Sequence, residues 1–176
     1  MTAGTKDKTW TDGNILYAAE LNSYILQPLT NLDATDNTLQ SASSSNAAGE
    51  TVAYATKRTV TIAANQVNTY VIISGDLEAE NNAGSGANPV PTMSAYLQIT
   101  INGTQKIELI ESCGTGSSTS AQNSKTRGFE YKYTPSAGEK SAGFTINLDL
   151  KVVRGASAGN SGTVSAINNY WKVIGA

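Results

Sequence analysis

At 176 residues the chain has room for one ordinary domain, or one domain with a short appended element; two full domains would be cramped. Its charged fraction of 15% is low, yet Val, Ile and Leu recur in orderly runs, so the composition is that of a folded chain kept soluble by Ser, Thr, Asn and Gly. A net charge of -2 without clustered Lys and Arg argues against nucleic acid as a partner, and the absence of histidine removes the commonest general base and metal ligand together.

The amino terminus, MTAGTKDKTW, has no apolar core of the signal-peptide kind, and no window of about 18 apolar residues occurs. The expectation is a chain made in a cytoplasm with no membrane partner. Cys113 has no second cysteine in the chain to bridge to.

Residues 1–14 read as an extended arm. Trp10 is its first large side chain, and Thr11-Asp12-Gly13-Asn14 is a cluster of turn formers in which Asn14 can cap a following helix. Thr9 to Leu39 is the one stretch whose apolar residues recur at helical spacing. Pro28 interrupts it, since proline inside a helix removes a hydrogen bond and clashes with the preceding turn. A heptad register runs through both pieces, with Ile15, Ala18, Asn22, Ile25, Leu29, Leu32, Asp36 and Leu39 on its seam. So narrow a seam suits parallel helices meeting around an axis, and residues 15–40 are therefore expected to be a helical oligomerisation stem. Residues 41–50, small and polar, read as a linker.

From residue 51 to 176 the pattern is that of strands. Thr59 to Ala64 and Tyr70 to Ala79 are the first two. Met93 to Ile101 alternates cleanly, Asn102-Gly103 supplies a hairpin turn, and Gln105 to Ile110 returns. Arg127 to Tyr133 alternates again. In Phe144 to Val152, Phe144, Ile146, Leu148, Leu150 and Val152 share one face, and Val164 to Ile174 closes the set with Ile167, Trp171 and Val173 as core positions. About seven antiparallel strands, each buried on one face, predict a two-sheet β-sandwich of jelly-roll type. Counting strands up and down places the tight links (Asn65-Gln66, Asn102-Gly103, Pro135 to Ser141) and the carboxyl terminus at one end. The long ones (Glu80 to Thr92, Gly114 to Thr126, Gly155 to Gly162) fall at the other, where the stem is expected to join.

No constellation predicts catalysis. Asp76, Glu78 and Glu80 put three carboxylates on one strand face, but no glycine-punctuated calcium loop accompanies them, so a solvated face is the plainer reading and no metal or cofactor is expected. Gly114-Thr115-Gly116 lacks the lysine and helix of a phosphate loop. No Ser, Thr or Lys has a recognisable base beside it, so an enzyme is not expected. Tyr96 and Tyr170 could stack on a sugar ring, which makes a carbohydrate-binding module the competing class.

Residues Trp10 to Asn22, WTDGNILYAAELN, resemble a short motif near the amino terminus of many tailed-phage virion proteins, tail fibres and head fibres among them. The matching positions are Trp10, Gly13, Asn14, Ile15, Leu16, Ala18, Leu21 and Asn22; Tyr17 departs from the Thr or Ser usual there, so Asn14 is left to cap the helix. The resemblance implies a homotrimeric virion structural protein, a minor fibre, capsid decoration or tail appendage. Its arm would dock on another virion protein, in capsid or tail, through Trp10, Gly13 and Leu16, and its sandwich would face outward, where a host surface glycan is a further partner.

Overall fold

The computed structural model describes residues 30–33, 40–44, 51–83, 93–113, 122–155 and 162–175. They form ten strands and one short helix: β1 (Thr30–Asp33), β2 (Gln40–Ser44), β3 (Thr51–Ile62), β4 (Val71–Ala83), β5 (Met93–Ile101), β6 (Thr104–Cys113), β7 (Gln122–Tyr133), α1 (Ala137–Ala142), β8 (Phe144–Arg154), β9 (Gly162–Asn168) and β10 (Trp171–Gly175). Alternation is the cause. In β8 the even positions Phe144 to Val152 are all buried, and in β5 the odd positions Met93 to Ile101 are.

One sheet has the order β3-β8-β5-β6. In the other, β4 lies between β7 and a broken line made of β9 and β10, and β2 and β1 pair with the far side of that line. Taking β1 with β2, and β9 with β10, as single lines leaves eight in chain order. The sheets then run 1-8-3-6 and 2-7-4-5, the order of a jelly roll. All strand pairs are antiparallel.

The inner faces meet in one apolar core that includes Ile73, Leu77, Leu97, Ile99, Ile146, Leu148, Leu150, Trp171 and Val173, each fully buried. Each such side chain contributes roughly 1.5–3 kcal/mol relative to exposure, so the core outweighs any surface contact discussed below. Two polar side chains enter this interior from opposite sheets and meet there: Arg58 Nε of β3 donates to Asn168 Oδ1 of β9 at 3.1 Å.

The register fixes the ends. Thr51 pairs with Val153, Met93 with both Arg154 and Cys113, Ala83 with Gly162, Asn82 with Gln122 and Ser44 with Val164, so the connections 45–50, 84–92, 114–121 and 155–161 all attach at one end. At the other end lie the Asn102-Gly103 turn, the 63–70 and 134–143 links, and Thr30 beside Gly175. The connections 84–92, 114–121 and 155–161 thus share one end as expected, and Gly175 lies at the other, but the expected contrast in length is not found: the 63–70 and 134–143 links span eight and ten residues, against six to nine at the opposite end.

Two expectations about the amino-terminal part are corrected. Thr30–Asp33 and Gln40–Ser44, read as stem and linker, are strands. Both are held by backbone pairing to β10 and β9, which small polar residues satisfy as well as apolar ones do, so hydrophobic periodicity could not register them. Leu32, placed on the stem seam, instead packs against the core of its own domain, with Val67 and Leu32 side chains crowding the space over Gly175. The extra strand line reverses the parity of the count, so the chain reaches the sandwich at the end that holds the Asn102-Gly103 turn and not at the opposite one.

Candidate functional site

The docking residues Trp10, Gly13 and Leu16, and the seam residues Ile15, Ala18, Asn22, Ile25, Leu29, Asp36 and Leu39, lie outside the described residues. Of the predicted site residues only Leu32 falls within them, and it is a core contact.

Asp76 and Glu78, weighed as cation ligands, are occupied with a strand irregularity. Ile167 faces Glu78 and Trp171 faces Gly75, so the β9–β10 line carries one residue more than β4 between these pairs, a β-bulge at Asn168 to Tyr170. Asp76 Oδ1 accepts the backbone N–H groups of Asn169 at 2.8 Å and Tyr170 at 2.9 Å. Asn168 Nδ2 donates to the carbonyls of Asp76 at 2.7 Å and Tyr170 at 2.6 Å, and Asn169 Nδ2 donates to Glu78 Oε2 at 2.7 Å. Gly75 makes room for this: a Cβ there would stand 2.7 Å from the Tyr170 carbonyl oxygen. The bulge leaves Tyr170 exposed on the outer face of its sheet.

The richer chemistry is on the outer face of the other sheet. The register aligns Lys151 of β8 with Tyr96 of β5, and Tyr96 with Ile110 of β6. A shift between Val52 and Ala55 brings Tyr54 of β3 to the same level. The Lys151 ammonium lies 4.4 Å from the centre of the Tyr96 ring and 5.1 Å from that of Tyr54, close enough to feel both ring quadrupoles. The next row is Thr56, Asp149, Gln98 and Glu108. There Asp149 accepts from Thr56 Oγ1 at 2.6 Å and from Gln98 Nε2 at 3.4 Å.

One contact ties the two rows together. The Tyr54 hydroxyl, from one edge strand, donates to Glu108 Oε1 on the opposite edge strand. It can do so only by lying along the sheet over β8 and β5. Burial pushes the Tyr54 phenol well above its ordinary range, and the neighbouring Glu108 carboxylate pushes it further, so it stays a neutral donor. The result is a row of Tyr54, Lys151, Tyr96 and Ile110 crossing all four strands, over carboxylate and amide groups. With strands about 4.8 Å apart, the row is about 14 Å long. One cation stands against two carboxylates, Asp149 and Glu108. Chemically the face offers ring surfaces and hydrogen-bond acceptors; no nucleophile with an aligned base is among these residues.

The sequence picked out Tyr96 alone from this set. Tyr54 escapes the sequence because periodicity marks β3 only from Thr59 onward. The signal available was the alternation Thr51-Val52-Ala53-Tyr54, which the register shifts at residues 52–55 and 56–58 blur.

No protein-family model and no curated protein matches the chain. Among solved structures it is similar to a chain of the infectious bursal disease virus VP2 subviral particle, at 18% identity and a TM-score of 0.37, over 80% of this chain and 31% of that one. It is also similar to the structure of the infectious bursal disease virus Gt strain, at 16% identity and 0.36, over 81% and 33%. A family 35 carbohydrate binding module from an environmental isolate matches at 16% identity and 0.27, over 84% and 82%. The chain thus spans about a third of the length of the viral chains it matches, and likenesses this loose carry no argument about function.

Proposed function

We propose that the chain is a non-enzymatic structural protein of a phage virion, a homotrimer fixed to the particle through residues 1–29 and displaying the sandwich. The observation that carries the reading is the motif Trp10 to Asn22 placed ahead of a two-sheet β domain. In this reading the sandwich is held from Thr30, beside Gly175, and the end that holds the connections 45–50, 84–92, 114–121 and 155–161 is directed away. The seam is then carried by Ile15, Ala18, Asn22 and Ile25 with Leu29.

The test is light scattering on the full chain and on a chain lacking residues 1–28, a cut that spares β1. The full chain should have three times the mass of one protomer, and the shortened one should be a folded monomer by circular dichroism. Ile25→Asp should do the same, since it sets three carboxylates against one another on the seam. Leu32→Asp is unsuitable, because Leu32 packs against the core of its own domain. A monomeric full chain, or a trimer indifferent to both changes, would contradict the reading. So would its absence from purified particles by mass spectrometry.

A further inference from the structure

We infer that the outer face of the β3-β8-β5-β6 sheet is a binding site for a neutral, hydroxyl-rich glycan, with Tyr54 and Tyr96 as its stacking surfaces and Glu108 and Gln98 as its polar partners; Asp149 is buried beneath them and holds Thr56 and Gln98 in place. The inference stands independently of how the chain is anchored.

Three observations converge. The first is position: the tyrosines lie at one level of the sheet, with the Lys151 ammonium between them at 4.4 and 5.1 Å. Tyrosines scattered for cross-strand packing would not need a shared cation. The second is fixation. Tyr54 is pinned at its far end by Glu108, so a ligand meets a surface whose rotamer entropy is already lost, which lowers the cost of binding. The third is charge. Two carboxylates against one ammonium repel phosphate, sulfate, uronate or nucleic acid, while the exposed Glu108 carboxylate and the Gln98 amide oxygen accept from hydroxyl groups.

Occupancy by protein fits less well. Ile110, at 45%, is the one large hydrophobic residue classed as exposed on this face among the described residues. An obligate interface between copies needs a more apolar centre than that. A sugar ring needs less: its apolar C–H face covers a tyrosine ring while its rim hydroxyls reach the neighbouring acceptors. The length of about 14 Å lets the row take a short oligosaccharide laid across the strands and not a single ring alone.

The experiment uses the full chain on an array carrying neutral and acidic glycans, followed by titration calorimetry with the strongest neutral oligosaccharide. Neutral glycans should bind and acidic ones should not. Tyr96→Ala should weaken binding about tenfold, in line with the loss of one aromatic contact. Tyr54→Phe, which keeps the ring but releases it from Glu108, should weaken it less. Tyr170→Ala, on the other sheet, should leave it unchanged. If Tyr96→Ala fails to fold by circular dichroism, Tyr96→Leu replaces it, keeping apolar cover without the ring. No neutral glycan bound, binding of acidic glycans alone, or full binding by the Tyr96 variant would overturn the inference. A fall in light-scattering mass for Tyr96→Ala would do so as well, by assigning the face to a second copy of the chain.

Discussion

Asn168 is fully buried and joins three parts of the sandwich through one amide. Its Oδ1 receives Arg58 Nε from the opposite sheet, and its Nδ2 donates to the Asp76 and Tyr170 carbonyls on either side of the bulge. Asn168→Ala removes one charge-assisted and two neutral hydrogen bonds, together with a longer contact from Nδ2 to Asp76 Oδ1 at 3.2 Å that shares the same two amide hydrogens. A charged one is worth about 1.5–3 kcal/mol and a neutral one about 1, so the loss should be about 3–5 kcal/mol. Urea unfolding measures it: with a slope of about 2–3 kcal/mol/M, the midpoint should fall by about 1–2 M. Asn168→Asp keeps the shape but aims an acceptor at two carbonyls and the Asp76 carboxylate, so at neutral pH it should be no better tolerated than alanine. Combining Asn168→Ala with Asp76→Ala should cost less than the two losses added together, because both act on the same bulge. A midpoint shift under about 0.3 M for Asn168→Ala would refute the view that this amide ties the sheets, since even one lost neutral bond should exceed it.

Two further outcomes concern the end that holds the Asn102-Gly103 turn. Gly143 caps α1 with φ +83°, and a Cβ there would stand 2.6 Å from the Ile62 carbonyl oxygen; Gly143→Ala should cost about 2–4 kcal/mol and lower the melting temperature by at least about 5 °C, and a change under about 2 °C would mean the turn can move aside. The Tyr133 hydroxyl donates to Glu139 Oε1 at 2.6 Å, and Tyr133 is pushed up to about 12 by burial first and by this bond second. Glu139, whose largest influence is the Tyr133 bond, is held below the usual carboxylate range. The raised phenol stabilises the fold fully below its unfolded value near 10 and loses that as pH rises toward about 12; the lowered carboxylate stabilises above its unfolded value near 4.3 and loses that as pH falls through its depressed one. Tyr133→Phe should therefore flatten the alkaline limb of a stability–pH profile most and the acid limb in part, whereas parallel profiles for the two proteins would exclude the contact as a contributor.

β5 and β8 are legible because their burial is one-sided: alternation in Met93 to Ile101 and Phe144 to Val152 transmits the inner face directly into the sequence, whereas β9, buried at five consecutive residues from Val164 to Asn168, reads as one run with β10. The helical seam drawn through Leu29, Leu32 and Leu39 shows the converse. Three leucines at mixed spacing satisfy a heptad, but Leu32 in its four-residue strand satisfies the sandwich, and the partner that decides between them is Gly175 at the other end of the chain. β2, QSASS, has no apolar side chain larger than that of Ala42. α1 lies where the sequence reads as a tight link, yet its signal is present: Ser136 with Glu139 three residues on is a capping box, and both of its hydrogen bonds are made. On the candidate glycan face, Tyr96 stood out by its place in a clean strand. Its companions did not, since Tyr54 and Lys151 become neighbours only once β3 pairs with β8 across the register shifts.

The place of β10 governs the order in which the domain can be made. It lies inside its sheet, between β1 and β4, and β9 likewise separates β2 from β4. Among the described strands, β1 and β2 thus have no partners within their sheet until β9 and β10 have been synthesised. The loop-closure entropy spent before such distant pairings form makes folding slow. During that interval the backbone edges of β1, β2 and β4 are all open. The polar, weakly apolar character of β2, which concealed it as a strand, is also what keeps that waiting edge from pairing with a neighbouring chain.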